Sequence, residues 1–231
     1  AVSSLKDMTQ RSQLAQTALY TFLSYTIIYI AFEFISEGEL QRIHIQPVIY
    51  FGISSAFLLL AYLLIYIFEK IFNLISAITL VELTNVNSDL MMTFAEKAPG
   101  TFQHTLQVSN LATEAAKKIG ANSLLVRTGA LYHDIGKMKH PEFFTENQIG
   151  GLNPLSDMSF EDAAKVIIGH VTDGVEIAKK NHLPEQIINF ITTHHGFSKT
   201  KYFYNSFINA NPDIKPNDSA YTYPGPLPNS K

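Results

Sequence analysis

The chain has 231 residues, a formal net charge of −3, 16% charged residues and no cysteine. Ordinary soluble domains carry roughly 25% charged residues, so this chain is poor in charge, and its slightly acidic balance excludes the basic footprint of a nucleic-acid polymer partner. Without cysteine there are no disulfides and no thiolate metal sites, and a metal must be held by His, Asp and Glu, donors that suit first-row transition metals.

Two apolar runs come first. From Leu14 to Ile35 the only formal charge is Glu33, and from Pro47 to Phe68 there is none. About 20 apolar residues suffice to cross the hydrocarbon core, so the runs predict transmembrane helices over about 14–35 and 47–68. Glu33 lies near the end of its span, within reach of headgroups and water. The short linker "SEGELQRIHIQ" makes the pair a hairpin, and His44 within it reads as a surface histidine. Lys6 and Arg11 precede the first span and Lys70 follows the second, whereas the linker carries Glu37, Glu39 and Arg42. The positive-inside bias puts both ends of the hairpin in the cytoplasm. This gives a membrane region over 1–70, with the lipid bilayer as a partner. A connecting helical segment follows over 71–98, with a helix, a loop and a short helix stopped before Pro99.

The rest, 99–231, reads as all-α. Thr101 is a candidate N-cap for a helix to about Ile119, stopped by Gly120. Val108, Leu111, Ala112, Ala115 and Ile119 form its apolar stripe, and His104 falls on the same side. Asn122 or Ser123 starts the next helix, through "LLVRTGALYHDI" to Gly136. Ser159 and Asp162 open a third as a capping box, spanning Phe160 to Asn181. Its inward face holds Ala163, Ile167, His170, Gly174 and Ala178. Pro184 suits the first position of a fourth helix, "PEQIINFITTHH", stopped by Gly196. The tail "NPDIKPNDSAYTYPGPLPNSK" predicts no regular structure.

Inward or helix-end positions thus carry His104, His133 with Asp134, His170, and His194 with His195. A lone buried histidine is usually a satisfied core residue. Burying five imidazoles without partners would be costly, and a metal offers them a shared one. Neighbours on a helix diverge by about 100°, so one member of each pair can bind one metal and the other a second metal or the substrate. An aspartate among histidines can bridge two metals, as in a two-metal phosphoesterase. His140, before Pro141, and His182, at a helix end, read as surface residues. Lys137 reads equally as a phosphate ligand or as a lysine at a helix C-terminus. Phe197, Tyr202, Phe203 and Tyr204 read as core before they read as a stacking surface for a base.

The ordered words "FQHT", "YHDIGK", "GH" and "THHG" resemble the HD-domain metal-dependent phosphohydrolase superfamily. The longer stretches "EKAPGTFQHTLQVSNLA", "RTGALYHDIGK" and "YTYPGPLPNSK" are similar to the seven-transmembrane HD proteins, the cyclic-di-AMP phosphodiesterases of the PgpH type. "LLLAYLLIYIFEKIFNLIS" looks like that family's last membrane helix, so the resemblance runs over most of the chain. It implies metal ligands at His104, His133, Asp134, His170, His194 and His195. It also implies two divalent metals, iron or manganese, and cyclic-di-AMP cleaved to linear pApA at the cytoplasmic side of a bacterial inner membrane. In that family a last aspartate ligand follows the "YPGP" stretch, and Lys231 comes before it. The expectation is therefore a fragment truncated within its HD domain, with one metal under-coordinated unless a second chain in a homodimer supplies the ligand.

The mechanism that follows is metal-assisted hydrolysis: two metals lower the pKa of a shared water and neutralise charge on the phosphodiester. Asp134 bridges the metals and orients that water, and Lys137 binds a phosphate oxygen. Two rival readings are a membrane-anchored nucleotide sensor without turnover, and a hydrolase of another nucleotide such as cyclic-di-GMP.

Overall fold

The computed structural model describes residues 12–37, 44–148, 150 and 153–228. The charges Lys6, Arg11, Glu39 and Arg42, and the chain end at Lys231, lie outside these residues. Among the described residues every regular element is a helix, and the only extended pairing is an isolated antiparallel bridge between Lys199 and Thr222. The chain divides into two units, Ala1–Glu82 and Leu83–Lys231.

The first unit is a helical hairpin. Helix α1 spans Ser12–Glu37 and α2 spans Ile45–Phe72; both run a few residues past their predicted ends. Small side chains let the two helices approach: Thr17, Ala18 and Ser55 are buried, and Gly52 lies beside the Phe22 ring. The Phe51 ring meets Tyr25 and Tyr29, at 5.6 and 6.1 Å between centroids. Two hydroxyls bond within their own helix, Thr21 Oγ1 donating to the Thr17 carbonyl and Ser36 Oγ to that of Phe32. The outer surface is apolar: Ile27, Phe32, Phe57 and Ile71 are all exposed. Two stretches, Ala15–Ser36 and Ile45–Phe72, are long and apolar enough to cross a membrane. Helix α3, Ala77–Leu83, leads out of this unit.

The second unit begins with α4, Asp89–Lys97, and α5, Pro99–Lys118. Helix α5 departs from expectation in two ways. It starts at Pro99, so Thr101 is not its N-cap but a buried residue of its first turn. Of its expected apolar stripe, Leu111, Ala115 and Ile119 face outward, Leu111 73% and Ile119 75% exposed, while Val108 and Ala112 are half-buried. The buried face is instead Thr101, Phe102, Thr105, Ser109, Thr113 and Ala116. Three hydroxyls on this face donate to their own helix: Thr105 to the Phe102 carbonyl, Ser109 to Leu106 and Thr113 to Ser109. Burial therefore leaves them satisfied, and their small size suits close packing.

Helix α6, Ser123–Tyr132, is capped as expected, Asn122 Oδ1 accepting from Leu125 N at 3.0 Å. It ends at Tyr132, earlier than predicted, and the chain tightens into a 3-10 turn over Ile135–Lys139. Two short 3-10 turns follow, Pro141–Phe143 and Thr145–Asn147. Helix α7 spans Phe160–Lys180, with the Ser159 hydroxyl accepting from Asp162 N and donating to its carboxylate. Its buried residues include Ala163, His170, Gly174 and Ala178, with Ile167 half-buried. Helix α8 is Glu185–Thr193, beginning one residue after Pro184, within ordinary boundary scatter.

Helix α9, Lys201–Ala210, was not anticipated. Nor does the tail lack structure altogether. A 3-10 turn covers Asp218–Tyr221, and the pairs Thr200 N to Tyr221 O and Tyr223 N to Ser198 O bring it back across the start of α9. Tyr221 and Tyr223 are buried as a result.

The turn after α6 packs directly on α7. A side chain on Gly136 would run into the His170 carbonyl and the Gly174 backbone, and backbone cannot move aside as a flexible side chain can. Gly136→Ala is expected to destabilise the domain by about 1–3 kcal/mol or more, read as a lowered midpoint in thermal or urea unfolding. An unchanged midpoint would show that the two segments have room to separate.

Candidate metal centre

Three helices deliver histidines in one local geometry. His133 follows α6, His170 lies within α7 and His194 follows α8. In each, Nδ1 faces the carbonyl three residues earlier: Ala130 at 2.7 Å, Ile167 at 2.6 Å and Ile191 at 2.9 Å. A carbonyl only accepts, so Nδ1 carries the proton and the neutral ring keeps its lone pair on Nε2. Those three Nε2 atoms converge on one carboxylate. His133 Nε2 lies 3.2 Å from Asp134 Oδ2, while His170 and His194 Nε2 lie 3.4 and 3.5 Å from Oδ1. His170 and His194 Nε2 are 3.3 Å apart.

Asp134 is buried, and its Oδ1 has no hydrogen-bond partner. Burial would raise its pKa, but the histidines around it, His133 first, hold it well below the usual carboxylate range. An anion and several lone pairs meeting in one dry place need a positive charge among them. The donors fall into two groups: Asp134, His170, His194 and His195, and His104, His133 and Asp134. Within each group the donor atoms lie within 4.8 Å of one another, and Asp134 belongs to both. The residues fit a divalent cation: all donors are N or O, they converge, and Asp134 Oδ1 is an orphaned buried acceptor.

All six residues expected to be ligands lie in this cluster, with two differences in detail. His104 sits on an exposed turn of α5 rather than on its buried face, its ring 6.2 Å from that of His133. His194 and His195 do not diverge to separate groups. Helix α8 has ended at Thr193, and Gly196 adopts a left-handed φ of 53°, so the chain bends and the two ring centroids lie 4.1 Å apart. The His195 ring stacks on Tyr223 at 3.9 Å and 18°. Burial, then the neighbouring His194 and His170, push its pKa down to about 3, which keeps it neutral as a donor. Tyr223 escaped notice because it lies in a stretch read as structureless.

Lys137 lies in the 3-10 turn, its side chain 15% exposed. Its Nζ is 2.9 Å from Asp134 Oδ2, 3.0 Å from Glu146 Oε1 and 5.0 Å from the Phe144 ring centroid. Burial opposes its charge, but Asp134 and Glu146 outweigh that and raise its pKa. Glu146 was missed in the sequence, since "FFTENQ" has no periodicity that would point it inward. The aromatic cluster divides. Phe197 and Tyr202 are 58% and 74% exposed, against the core reading, while Phe203 and Tyr204 are half-buried. His44, His140 and His182 are exposed.

Two family models match this chain: HD domain, over residues 101–228, and 7TM receptor with intracellular HD hydrolase, over residues 1–76. The cyclic-di-AMP phosphodiesterase PgpH of Listeria monocytogenes is 39% identical over 233 residues, which cover 100% of this chain and 32% of that protein. That of Bacillus subtilis is 34% identical over 223 residues, covering 96% and 31%. The chain thus spans about a third of the length of these curated relatives. Among solved structures, the HD domain of L. monocytogenes PgpH in complex with cyclic-di-AMP matches with a TM-score of 0.58 at 47% identity, covering 63% of this chain and 67% of that one.

The geometry fixes how metal uptake depends on pH. Burial lowers the His133 pKa, but the hydrogen bond and charge of Asp134 overcome this and raise it above 6.5. A metal must displace that proton wherever the pH lies below the raised value. Apparent affinity of the metal-free protein for Mn2+ is expected to fall as the pH drops from 8 to 6, about tenfold per pH unit once His133 is protonated, with proton release on binding. Calorimetry in buffers of different ionisation enthalpy measures both, and an affinity flat across this range would remove His133 from the ligand set.

Proposed function

Because this chain belongs to the HD-domain family over residues 101–228, we propose that it is a metal-dependent phosphodiesterase that hydrolyses cyclic-di-AMP to linear pApA at the cytoplasmic face of a bacterial membrane. The observation that carries this reading is the sharing of Asp134 between two donor groups. His170, His194 and His195 with Asp134 would hold one divalent metal, and His104 and His133 with the same carboxylate a second. Iron and manganese suit a histidine and carboxylate set without thiolates. When bound, such a pair supplies an activated water and neutralises charge on the phosphodiester.

The chain's own residues do the rest. Asp134 stays anionic and accepts a hydrogen bond from the attacking water, orienting it. The carbonyls of Ala130, Ile167 and Ile191 fix the imidazoles with Nε2 inward. Lys137 presents an ammonium to a non-bridging phosphate oxygen. Water oxygen adds to phosphorus, the bond from phosphorus to O3′ breaks, and the water proton ends on the released 3′-hydroxyl. One such cleavage opens the ring to pApA. Cyclic-di-AMP is favoured by the 47% identity to an HD domain solved with that dinucleotide. The exposed apolar hairpin supports a membrane location, and a nucleotide made inside the cell requires the HD unit on the cytoplasmic side.

The detergent-solubilised, Mn2+-loaded chain should hydrolyse cyclic-di-AMP in preference to cyclic-di-GMP, and His133→Ala with Asp134→Ala should abolish turnover and metal binding while helicity persists. Tight binding of cyclic-di-AMP without turnover would make the chain a sensor instead. For topology, a reporter fused after Lys70 should be active only as a cytoplasmic marker; activity on the far side would sink both the orientation and the substrate.

A further inference from the structure

Lys137 and a metal at the His104 and His133 group have a claim on the same oxygen. Asp134 Oδ2 lies 3.2 Å from His133 Nε2 and 2.9 Å from Lys137 Nζ. An ammonium and a divalent metal cannot both take the full charge of one carboxylate oxygen at close range. Lys137 has little access to solvent as an alternative, but it has Glu146, whose Oε1 lies 3.0 Å from Nζ.

Glu146 is held with unusual firmness for a turn residue. Thr101 Oγ1 donates to Glu146 Oε1 at 3.0 Å, Thr101 N donates to Asn147 Oδ1 at 3.0 Å, and Asn147 Nδ2 donates back to Thr101 Oγ1 at 2.8 Å. A side chain at Gly100 would collide with the Glu146 carbonyl. The first turn of α5 and the Thr145–Asn147 turn therefore lie backbone to backbone, a closeness that only glycine permits at position 100.

We propose that Glu146 is a positioning residue: it offers Lys137 a second, fixed carboxylate, so that the lysine gives up Asp134 Oδ2 to a metal at the His104 and His133 group without leaving the site. This rests on the ligand groups proposed above. Without Glu146, the buried ammonium keeps Asp134 as its carboxylate partner and competes harder with the metal for it.

Mn2+ titration of the full chain, followed by calorimetry and by the spin-coupled EPR signal of a metal pair, tests the inference without recourse to turnover. The unaltered chain should take two Mn2+ per chain. Glu146→Gln keeps an oxygen for Thr101 but loses the charge; it should weaken the second Mn2+ by about tenfold or more and leave the first unchanged. Lys137→Met removes the competitor and should bind the second Mn2+ at least as tightly as the unaltered chain. The double variant Lys137→Met with Glu146→Gln should recover to within about twofold of the unaltered chain, the non-additivity expected of residues acting as one unit. A Glu146→Gln chain with unaltered affinity would overturn the proposal. So would a double variant as weak as Glu146→Gln alone, since Glu146 would then act only through the fold, and so would a weakened Lys137→Met. An unaltered chain that takes no second Mn2+ at all would reject the two-group site itself, and this inference with it.

Discussion

The cluster turns on one buried carboxylate. Asp134 is placed where desolvation should neutralise it, yet a proton entering the cluster goes to the imidazoles, His133 first, and leaves the carboxylate anionic. Its two oxygens divide the cluster, Oδ1 toward His170 and His194, and Oδ2 toward His133 and Lys137. Neither side of that division works with a protonatable neutral acid at the centre. The surrounding fold can be understood as the set of conditions that bring an anion and three lone pairs into one dry place.

Those conditions are mostly backbone conditions. Each of the three inner histidines lies at or near a point where its Nδ1 reaches the carbonyl three residues back. That contact sets the tautomer without recruiting another side chain. The distances across the site are set by glycine. Gly136 lies against the backbone of α7 near His170 and Gly174, and Gly174 in turn lies against Ile191. The Asp134 turn and the His170 helix can therefore approach main chain to main chain, and the Ile191 side chain of the helix before His194 packs down on Gly174. Gly100 does the same for the turn bearing Glu146. Packing at that distance resists small shifts, because a core at crystal density has no slack to absorb them.

Much of this was legible in the sequence, for identifiable reasons. Apolar runs long enough to cross a membrane stand out by length and composition, and the Asn122 and Ser159 caps carry their chemistry in a single side chain. The histidine-bearing words were legible because imidazoles gathered at helix ends have few other uses. Helix α5 was misread because its buried face is made of Thr and Ser. These residues look polar in a periodicity count, yet Thr105, Ser109 and Thr113 bond to their own helix and pack as small apolar groups. The outward Leu111 and Ile119 completed the misreading. Helix α9 was missed although Phe203, Tyr204 and Phe207 share its half-buried side, because the stretch is short and Thr200 makes no side-chain cap. Glu146 and Tyr223 were invisible for a deeper reason. Both lie in segments without periodic structure, and both matter only because the chain returns, Glu146 to Thr101 and Tyr223 to His195.

The same contacts constrain how the site responds to occupancy. Three Nε2 lone pairs and Asp134 Oδ1 repel or leave one another unsatisfied until a cation joins them, so the metal-free cluster costs stability that the rest of the domain must supply. A cation that binds the folded cluster and not the unfolded chain returns that free energy in proportion to the logarithm of its occupancy. Outward relaxation would lower the cost but give up the close glycine contacts and the geometry they allow. Rigidity and cost are thus one feature: the backbone approach that makes the empty donors repel is also what presents them, already aligned, to the charge they need.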